Sequence, residues 1–265
     1  MNSSTYLRID DRLGFVELAG DGQPVLCVHT AGQSGVQWRE VLAELPSAGY
    51  QVLVPDLPGH GRSDLPADGP VTDLTRYRDW CLEVIDRLGL ARPFVVGCSI
   101  GGKIALDVAA EAGDRLGGVV AMAADAWNTG LSVAGLERSI EDSAAPSRAD
   151  RTYYGTLASC GARVPKQRAE YIAEMHRRED PVVSTTDLIG WSRHDLRERL
   201  GLINCPARLV LGEDDFWLER SSVDWTAERI PGCRYEVLAG IGHYPMEEIA
   251  GFPELLTGWL EEMRS

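Results

Sequence analysis

One short stretch brings together the residue types that covalent chemistry on a carbonyl needs: Gly97-Cys98-Ser99-Ile100-Gly101. It follows Phe94-Val95-Val96, an apolar, β-branched run that reads as a buried strand. It leads into Lys103-Ile104-Ala105-Leu106, the start of an Ala/Leu-rich helix. Gly-x-Ser-x-Gly between a strand and a helix demands a tight turn, and Gly97 and Gly101 leave out side chains where the two backbones crowd. The Ser99 hydroxyl is then held above the sheet at a helix N-terminus, whose first amides stabilise negative charge forming beside it.

A serine hydroxyl is a weak nucleophile and needs a base, and the base needs a group that fixes its tautomer. Two late segments supply them. Gly212-Glu213-Asp214-Asp215 closes an apolar strand, where an acid projects over the sheet. Gly240-Ile241-Gly242-His243-Tyr244-Pro245-Met246-Glu247 follows the last strand, and its glycines let a loop carry His243 across to Ser99. The chain order is then serine, aspartate, histidine. Asp215 is the preferred acid. Asp125, just past the strand that ends near Met122, is the alternative, and Glu213 and Asp214 read as a solvated acidic turn.

These residues must be positioned by a sheet with helices on both faces. Tyr6–Asp10 and Gly14–Leu18 read as a hairpin turned at Asp11-Arg12-Leu13. Strands are expected at Pro24–Val28, Tyr50–Pro55, from Phe94, and at Leu116–Met122, Ala207–Gly212 and Arg234–Leu238. Helices are expected at Trp38–Leu45, Leu74–Leu88, after Ser99, and at Ser222–Ile230 and Pro253–Met263. Strand alternating with helix argues for an α/β protein with a mostly parallel, doubly wound sheet. The pattern changes past Ala123. Helical segments at Leu136–Ser143, Arg148–Cys160, Lys166–Arg178 and Asp187–Leu200 follow, punctuated by Pro146, Pro165 and Pro181. Residues 126–200 therefore read as a helical cap inserted after the sixth strand, over a core of residues 1–125 and 201–265.

With these loops in place, the whole chain resembles a cap-bearing member of the α/β-hydrolase fold superfamily. The resemblance rests on the loops at His29, Asp56–Asp64, Ser99, Asp215 and His243. It implies a triad of Ser99, Asp215 and His243, and an oxyanion hole made by the amides of Ala31 and Ile100. The chain carries His29-Thr30-Ala31-Gly32 where relatives often carry His-Gly-x, so Thr30 is a candidate substrate contact. It further implies that His29, His60 and Arg62 serve as scaffold. Lys103 is expected at the surface or in a salt bridge, and Cys98 as a small buried filler. Trp127 and Trp191 are the first candidates for substrate-binding aromatics in the cap. Relatives that use an aspartate nucleophile, such as epoxide hydrolases and dehalogenases, fit poorly because the nucleophile position here is Ser99.

Composition narrows the partners. The 265 residues include 26 Lys+Arg against 40 Asp+Glu, a net charge of −14, which disfavours nucleic acid and anionic membrane surfaces. No apolar run approaches the roughly 20 residues of a membrane helix, and the opening residues lack the pattern of a secretory signal, so a cytoplasmic location is expected. The six cysteines form no Cys-x-x-Cys pair, and no two of the five histidines stand at metal-ligand spacing. The expectation is an enzyme without metal or cofactor, a serine hydrolase acting on a carboxylic ester or lactone of a small organic molecule. A carbon–carbon bond hydrolase for a diketone-like compound and a non-catalytic ligand receptor are the alternatives. The sequence leaves open whether the chain forms a homo-oligomer.

Overall fold

The first two strands, β1 (Asn2–Ile9) and β2 (Arg12–Ala19), pair as an antiparallel hairpin in a computed structural model that describes residues 2–128 and 131–264. Met1, Thr129, Gly130 and Ser265, which fall within the expected core and cap ranges, lie outside the described residues. The expected turn at Asp11-Arg12-Leu13 is corrected. Ile9 pairs with Arg12, and Asp10 and Asp11 make the turn with φ of 48° and 59°. Two left-handed residues match the twist of a two-residue hairpin, and aspartate tolerates that conformation better than most side chains.

The chain continues through β3 (Gln23–Val28), α1 (Arg39–Glu44), β4 (Tyr50–Pro55), α2 (Leu74–Arg87), β5 (Phe94–Cys98), α3 (Ile100–Ala112) and β6 (Gly118–Met122). Four helices follow: α4 (Val133–Glu141), α5 (Arg148–Ser159), α6 (Lys166–His176) and α7 (Pro181–Arg193). The sheet resumes with β7 (Ala207–Gly212), α8 (Arg220–Arg229), β8 (Arg234–Leu238), α9 (Pro245–Glu248) and α10 (Phe252–Arg264). The eight strands form one sheet in the order β1-β2-β4-β3-β5-β6-β7-β8. β2 runs antiparallel to both its neighbours, and the pairings from β4 to β8 are parallel. Every residue of β5 and β6 is buried, which is why their sequences are continuous apolar runs without alternation. α2 covers one face with Leu74, Tyr77, Cys81, Val84 and Ile85, and Asp73 caps it by accepting from the Thr75 amide.

The cap is the run α4–α7 between β6 and β7. Its last helix departs from expectation: Asp187–Leu200 is corrected to Pro181–Arg193. Asp180 accepts hydrogen bonds from the Val182 and Val183 amides at 2.8 and 3.0 Å, and Pro181 takes the first helical position, where a missing N–H costs nothing. Pro181 thus starts a helix rather than breaking one. The first cap helix likewise begins earlier than expected, at Val133, with Ser132 as its cap.

Buried carboxylates pin the cap to the core. Asp187 of α7 accepts from the Gly32 amide at 2.8 Å, from His60 Nε2 at 2.8 Å and from the Tyr77 hydroxyl at 2.7 Å. Glu247 of α9 receives Gln37 Nε2 at 2.9 Å and His176 Nε2, from α6, at 2.6 Å. Asp107 of α3 meets His194 at 3.1 Å, just beyond α7, together with Arg78 and Arg199. Removing the donors around such a carboxylate leaves a buried charge without compensation, so these joints fix the cap's seat. Among the described residues, no helix is long and apolar enough to cross a membrane.

Candidate active site

Ser99 sits between β5 and α3 with φ of 58° and ψ of −121°, a left-handed conformation that a non-glycine residue rarely holds. The surrounding glycines make this turn sterically feasible. A Cβ on Gly97 would overlap the Gly101 carbonyl, and one on Gly101 would overlap the carbonyls of Val28 and His29. The Ser99 amide donates to the Met122 carbonyl at 2.9 Å and its carbonyl accepts from the Lys103 amide at 3.0 Å, tying the turn to β6 and to α3.

His243 lies in the loop after β8. Its Nδ1 is 2.8 Å from Asp215 Oδ2, and both side chains are nearly closed to solvent. An ionised carboxylate only accepts, so the proton of a neutral imidazole sits on Nδ1 and Nε2 is left as the basic nitrogen. Asp215 is itself held: its Oδ1 accepts from the Trp217 amide at 2.9 Å. The His243 amide donates to the Ser159 carbonyl at 2.9 Å, joining this loop to the end of α5.

The other carboxylate considered is committed elsewhere. Asp125 Oδ1 lies 2.6 Å from Lys103 Nζ, its carbonyl accepts from the same ammonium at 2.8 Å, and its Oδ2 accepts from Ser222 Oγ at 2.7 Å. Of the two places expected for Lys103, the structure shows the salt bridge and not the surface: it is wholly buried against Asp125, and its ammonium stands 5.0 Å from the centre of the Trp191 ring. Burial lowers its pKa from the ordinary lysine value, and the charge of Asp125 only partly offsets this.

The loop after β3 brings Ala31 to the same place. The Thr30 amide is taken by Gln37 Oε1 at 2.9 Å and the Gly32 amide by Asp187 at 2.8 Å, which leaves the Ala31 amide between two anchored neighbours. Ile100 is the first residue of α3, where an amide has no helical acceptor behind it. His29 holds the loop from below. The Leu57 amide donates to His29 Nε2 at 3.0 Å, so Nδ1 carries the proton and donates to the Thr30 carbonyl at 2.9 Å. Burial, and then the charge of nearby His60, push the His29 imidazole down to about 4. His60 behaves oppositely. Burial opposes its charge, but the Asp187 carboxylate outweighs this and raises its pKa above the ordinary value. Arg62 pairs with Asp56 through Nε at 2.8 Å, as scaffold.

Ser99, His243, Thr30, Ala31 and Trp191 line one cavity of about 240 Å³, roofed by residues of α5, α6 and α7. Thr30 is present, but its hydroxyl donates to Gln37 Oε1 at 3.1 Å. Trp127 is a correction. It does not line this cavity; its ring packs edge-on against Trp225 of α8 at 4.8 Å, beneath the Arg197 guanidinium. Aromatic surface offered by both residues is better buried against each other than against solvent. Glu213 and Asp214 are also more than a solvated turn, since they accept from the amides of Gly240 at 2.9 Å and Ala162 at 2.7 Å.

Sequence reasoning missed two residues of the site. Glu248 is buried and accepts from the amides of Gly242 at 2.6 Å, Tyr244 at 2.9 Å and Gly161 at 3.0 Å, so it holds the backbone on both sides of His243. Burial raises its pKa, and the three amides only partly oppose this. Trp217 lines the cavity and donates from its indole to Ser159 Oγ at 2.8 Å. The sequence signal for Glu248 is slight: an acid three residues after Pro245, which starts a turn of helix behind a glycine-rich loop. Cys98 is buried as expected, and burial pushes its thiol well above the ordinary cysteine value.

The chain belongs to the Alpha/beta hydrolase family, whose profile matches residues 25–254. Among curated proteins it is 26% identical over 250 residues to a pimeloyl-[acyl-carrier protein] methyl ester esterase of Nitrosomonas europaea, covering 90% of this chain and 94% of that one. It is 35% identical over 123 residues to a haloalkane dehalogenase of Psychrobacter cryohalolentis, where the match spans only 44% of this chain and 41% of the other. Among solved structures, the esterase EaEST from Exiguobacterium antarcticum superposes with a TM-score of 0.86 at 24% identity, covering 97% of this chain and 99% of that one. At that identity the superposition establishes the shared fold.

Proposed function

We propose that this chain is a serine hydrolase that cleaves a carboxylic ester or lactone of a small molecule through an acyl-enzyme. The observation that carries the reading is the His243–Asp215 hydrogen bond at 2.8 Å beside a cavity that His243 shares with Ser99 on its strained turn. Ser99 Oγ attacks the carbonyl carbon while His243 Nε2 takes its proton, and Asp215 stabilises the imidazolium. The amides of Ala31 and Ile100 receive the oxyanion. The tetrahedral intermediate collapses, and His243 returns the proton to the departing alcohol oxygen. Water, deprotonated by His243, then attacks the acyl carbon. Collapse releases the carboxylic acid and restores the Ser99 hydroxyl.

The division into a core of residues 1–125 and 201–265 and a cap of 126–200 belongs to this reading, with the cap selecting the substrate. The esterase relative from Nitrosomonas supports an ester as the scissile group. The test is turnover of p-nitrophenyl acetate and a panel of small esters, lactones and diketones by the wild-type chain and by Ser99→Ala. Ester or lactone turnover that falls about 10⁴-fold in a folded Ser99→Ala protein is expected. Cleavage of diketones alone would move the reaction to a carbon–carbon bond. Equal rates in wild type and variant would overturn the serine mechanism, and ligand binding without Ser99-dependent turnover would make the chain a receptor.

A further inference from the structure

The cavity is not electrically neutral. Arg148 and Arg151, one turn apart on α5, line it together with Ser99. Glu179 is the carboxylate in the same lining, and it is already engaged: its Oε1 accepts from Arg148 at 2.8 Å and from the Thr152 hydroxyl at 2.8 Å. Arg151 has no carboxylate within ion-pair distance among the described residues, although acids outnumber bases 40 to 26 in this chain. Arg148 is committed to Glu179 and closed off from the cavity at its Nε. Its Nε is buried and, among the described residues, has no hydrogen-bond partner. The remaining ionisable groups in the lining are the buried Tyr244, whose pKa burial pushes well above the ordinary tyrosine value, and two histidines with partners of their own. His176 is bound to Glu247 and His243 to Asp215.

We propose that the substrate of this site carries a carboxylate, received by the Arg151 guanidinium on the cap side of the cavity. The proposal rests on the serine-hydrolase reading and specifies its substrate class. A guanidinium suits a carboxylate because its planar N–H groups match two oxygens at once, and a charge-assisted bond is stronger than a neutral one. Glu179 cancels one of the two guanidinium charges. The single positive charge left over matches a singly charged carboxylate rather than a doubly charged phosphate. The ester carbonyl then lies over Ser99 while the carboxylate is anchored on α5, so the anchoring fixes which end of the substrate meets the nucleophile.

Two measurements separate this from the reaction itself. Binding of monomethyl glutarate and of the neutral dimethyl glutarate to the Ser99→Ala protein is followed by ligand-observed NMR titration. Turnover of both esters, and of p-nitrophenyl acetate, is followed with the wild-type chain. Monomethyl glutarate should bind at least about 10-fold more tightly than the diester, and its kcat/KM should exceed that of the diester by a similar factor. Arg151→Gln should erase the preference in both measurements, whereas Arg138→Gln, an exposed arginine on α4, should leave it in place. Equal binding of the two esters, or a preference that survives Arg151→Gln, would overturn the proposal. Inorganic phosphate that displaces monomethyl glutarate more effectively than acetate does would replace the carboxylate by a phosphorylated ligand and also overturn it. Failure to turn over p-nitrophenyl acetate would count against the serine-hydrolase reading alone, because the binding titration reads the anion site without it.

Discussion

Lys103 and Asp125 face each other at 2.6 Å in the interior, and neither side chain is reached by solvent. Lys103 stands in the first turns of α3, the helix that Ser99 precedes, and the pair ties that helix to the segment just beyond β6. It explains why two aspartates at comparable strand ends have different fates. Asp125 is consumed by a buried ammonium, whereas Asp215 meets no Lys or Arg among the described residues and holds His243. The two roles respond differently to the same substitution. Asp125→Asn strands the Lys103 charge and should destabilise the protein by about 3–5 kcal/mol, as breaking a buried pair does. Asp215→Asn should leave unfolding in denaturant nearly unchanged but lower kcat by about 10³–10⁴-fold, through the wrong histidine tautomer. Urea unfolding and turnover of both variants check the assignment, and a silent Asp215→Asn would refute it.

His29 gives the fold a defined acid limb. The unfolded imidazole titrates near its ordinary value of about 6.5, while the folded one is pushed down to about 4 by burial and by His60. Between those values the unfolded chain takes up a proton that the folded chain refuses. Stability is therefore present above about 6.5 and lost as the pH falls toward 4, by up to about 3 kcal/mol. His60 contributes with the opposite sign. Its raised pKa makes its stabilisation fully present below 6.5 and lost as the pH rises through the folded value. Urea unfolding of His29→Gln between pH 4 and 7 should show a flatter acid limb than wild type. An unchanged slope would remove His29 from the account.

Glu248 should act on turnover without touching substrate. Its two carboxylate oxygens satisfy three amides around His243. Glu248→Gln replaces one acceptor oxygen by a donor and sets that donor against an amide. We expect kcat to fall about 10- to 100-fold for a small activated ester while KM changes little, because His243 loses its position rather than its chemistry. Parallel losses in kcat and KM would point to a general loosening of the cavity instead.

The glycines of the elbow and a glycine of the last helix should respond with opposite signs. Gly97→Ala drives a methyl into the Gly101 carbonyl, where backbone on both sides resists movement. It should cost about 3 kcal/mol or more, or prevent folding. Gly258 in α10 has nothing within 4 Å of an added Cβ. Gly258→Ala should stabilise by about 0.5–1 kcal/mol through helix propensity. Thermal unfolding of the two variants side by side checks both directions.

Much of this site is legible in the sequence because it is built from local devices. The strand-turn-helix at Ser99 depends on glycines at fixed offsets, and Asp215 and His243 follow strand ends that apolar runs mark clearly. The residues that escaped are those whose role is decided by distant partners. Trp127 carries no sign that Trp225, nearly a hundred residues on, will cover it. Lys103 reads as a surface or salt-bridge residue, but nothing beside it in the chain shows that Asp125 will hold it in the interior. Nothing in the neighbours of Glu248 and Asp187 shows which amides they will meet. The bounds of α7 failed for a local reason: Asp180-Pro181 is a helix start, and proline was read there as a stop.

In the proposed reaction Ser99 is the nucleophile and His243 its base. The most direct measurement is covalent modification by paraoxon, with the labelled residue located by peptide mass spectrometry. Attack on phosphorus expels p-nitrophenolate and leaves a diethylphosphoryl group on the attacking oxygen, so a burst of about one equivalent of p-nitrophenolate per chain reports the event. The account predicts one labelled site, Ser99, in the wild-type chain, no burst from Ser99→Ala, and labelling slowed about 10³-fold or more in His243→Ala. A stoichiometric label on any other residue, or a full burst from folded Ser99→Ala, would contradict it.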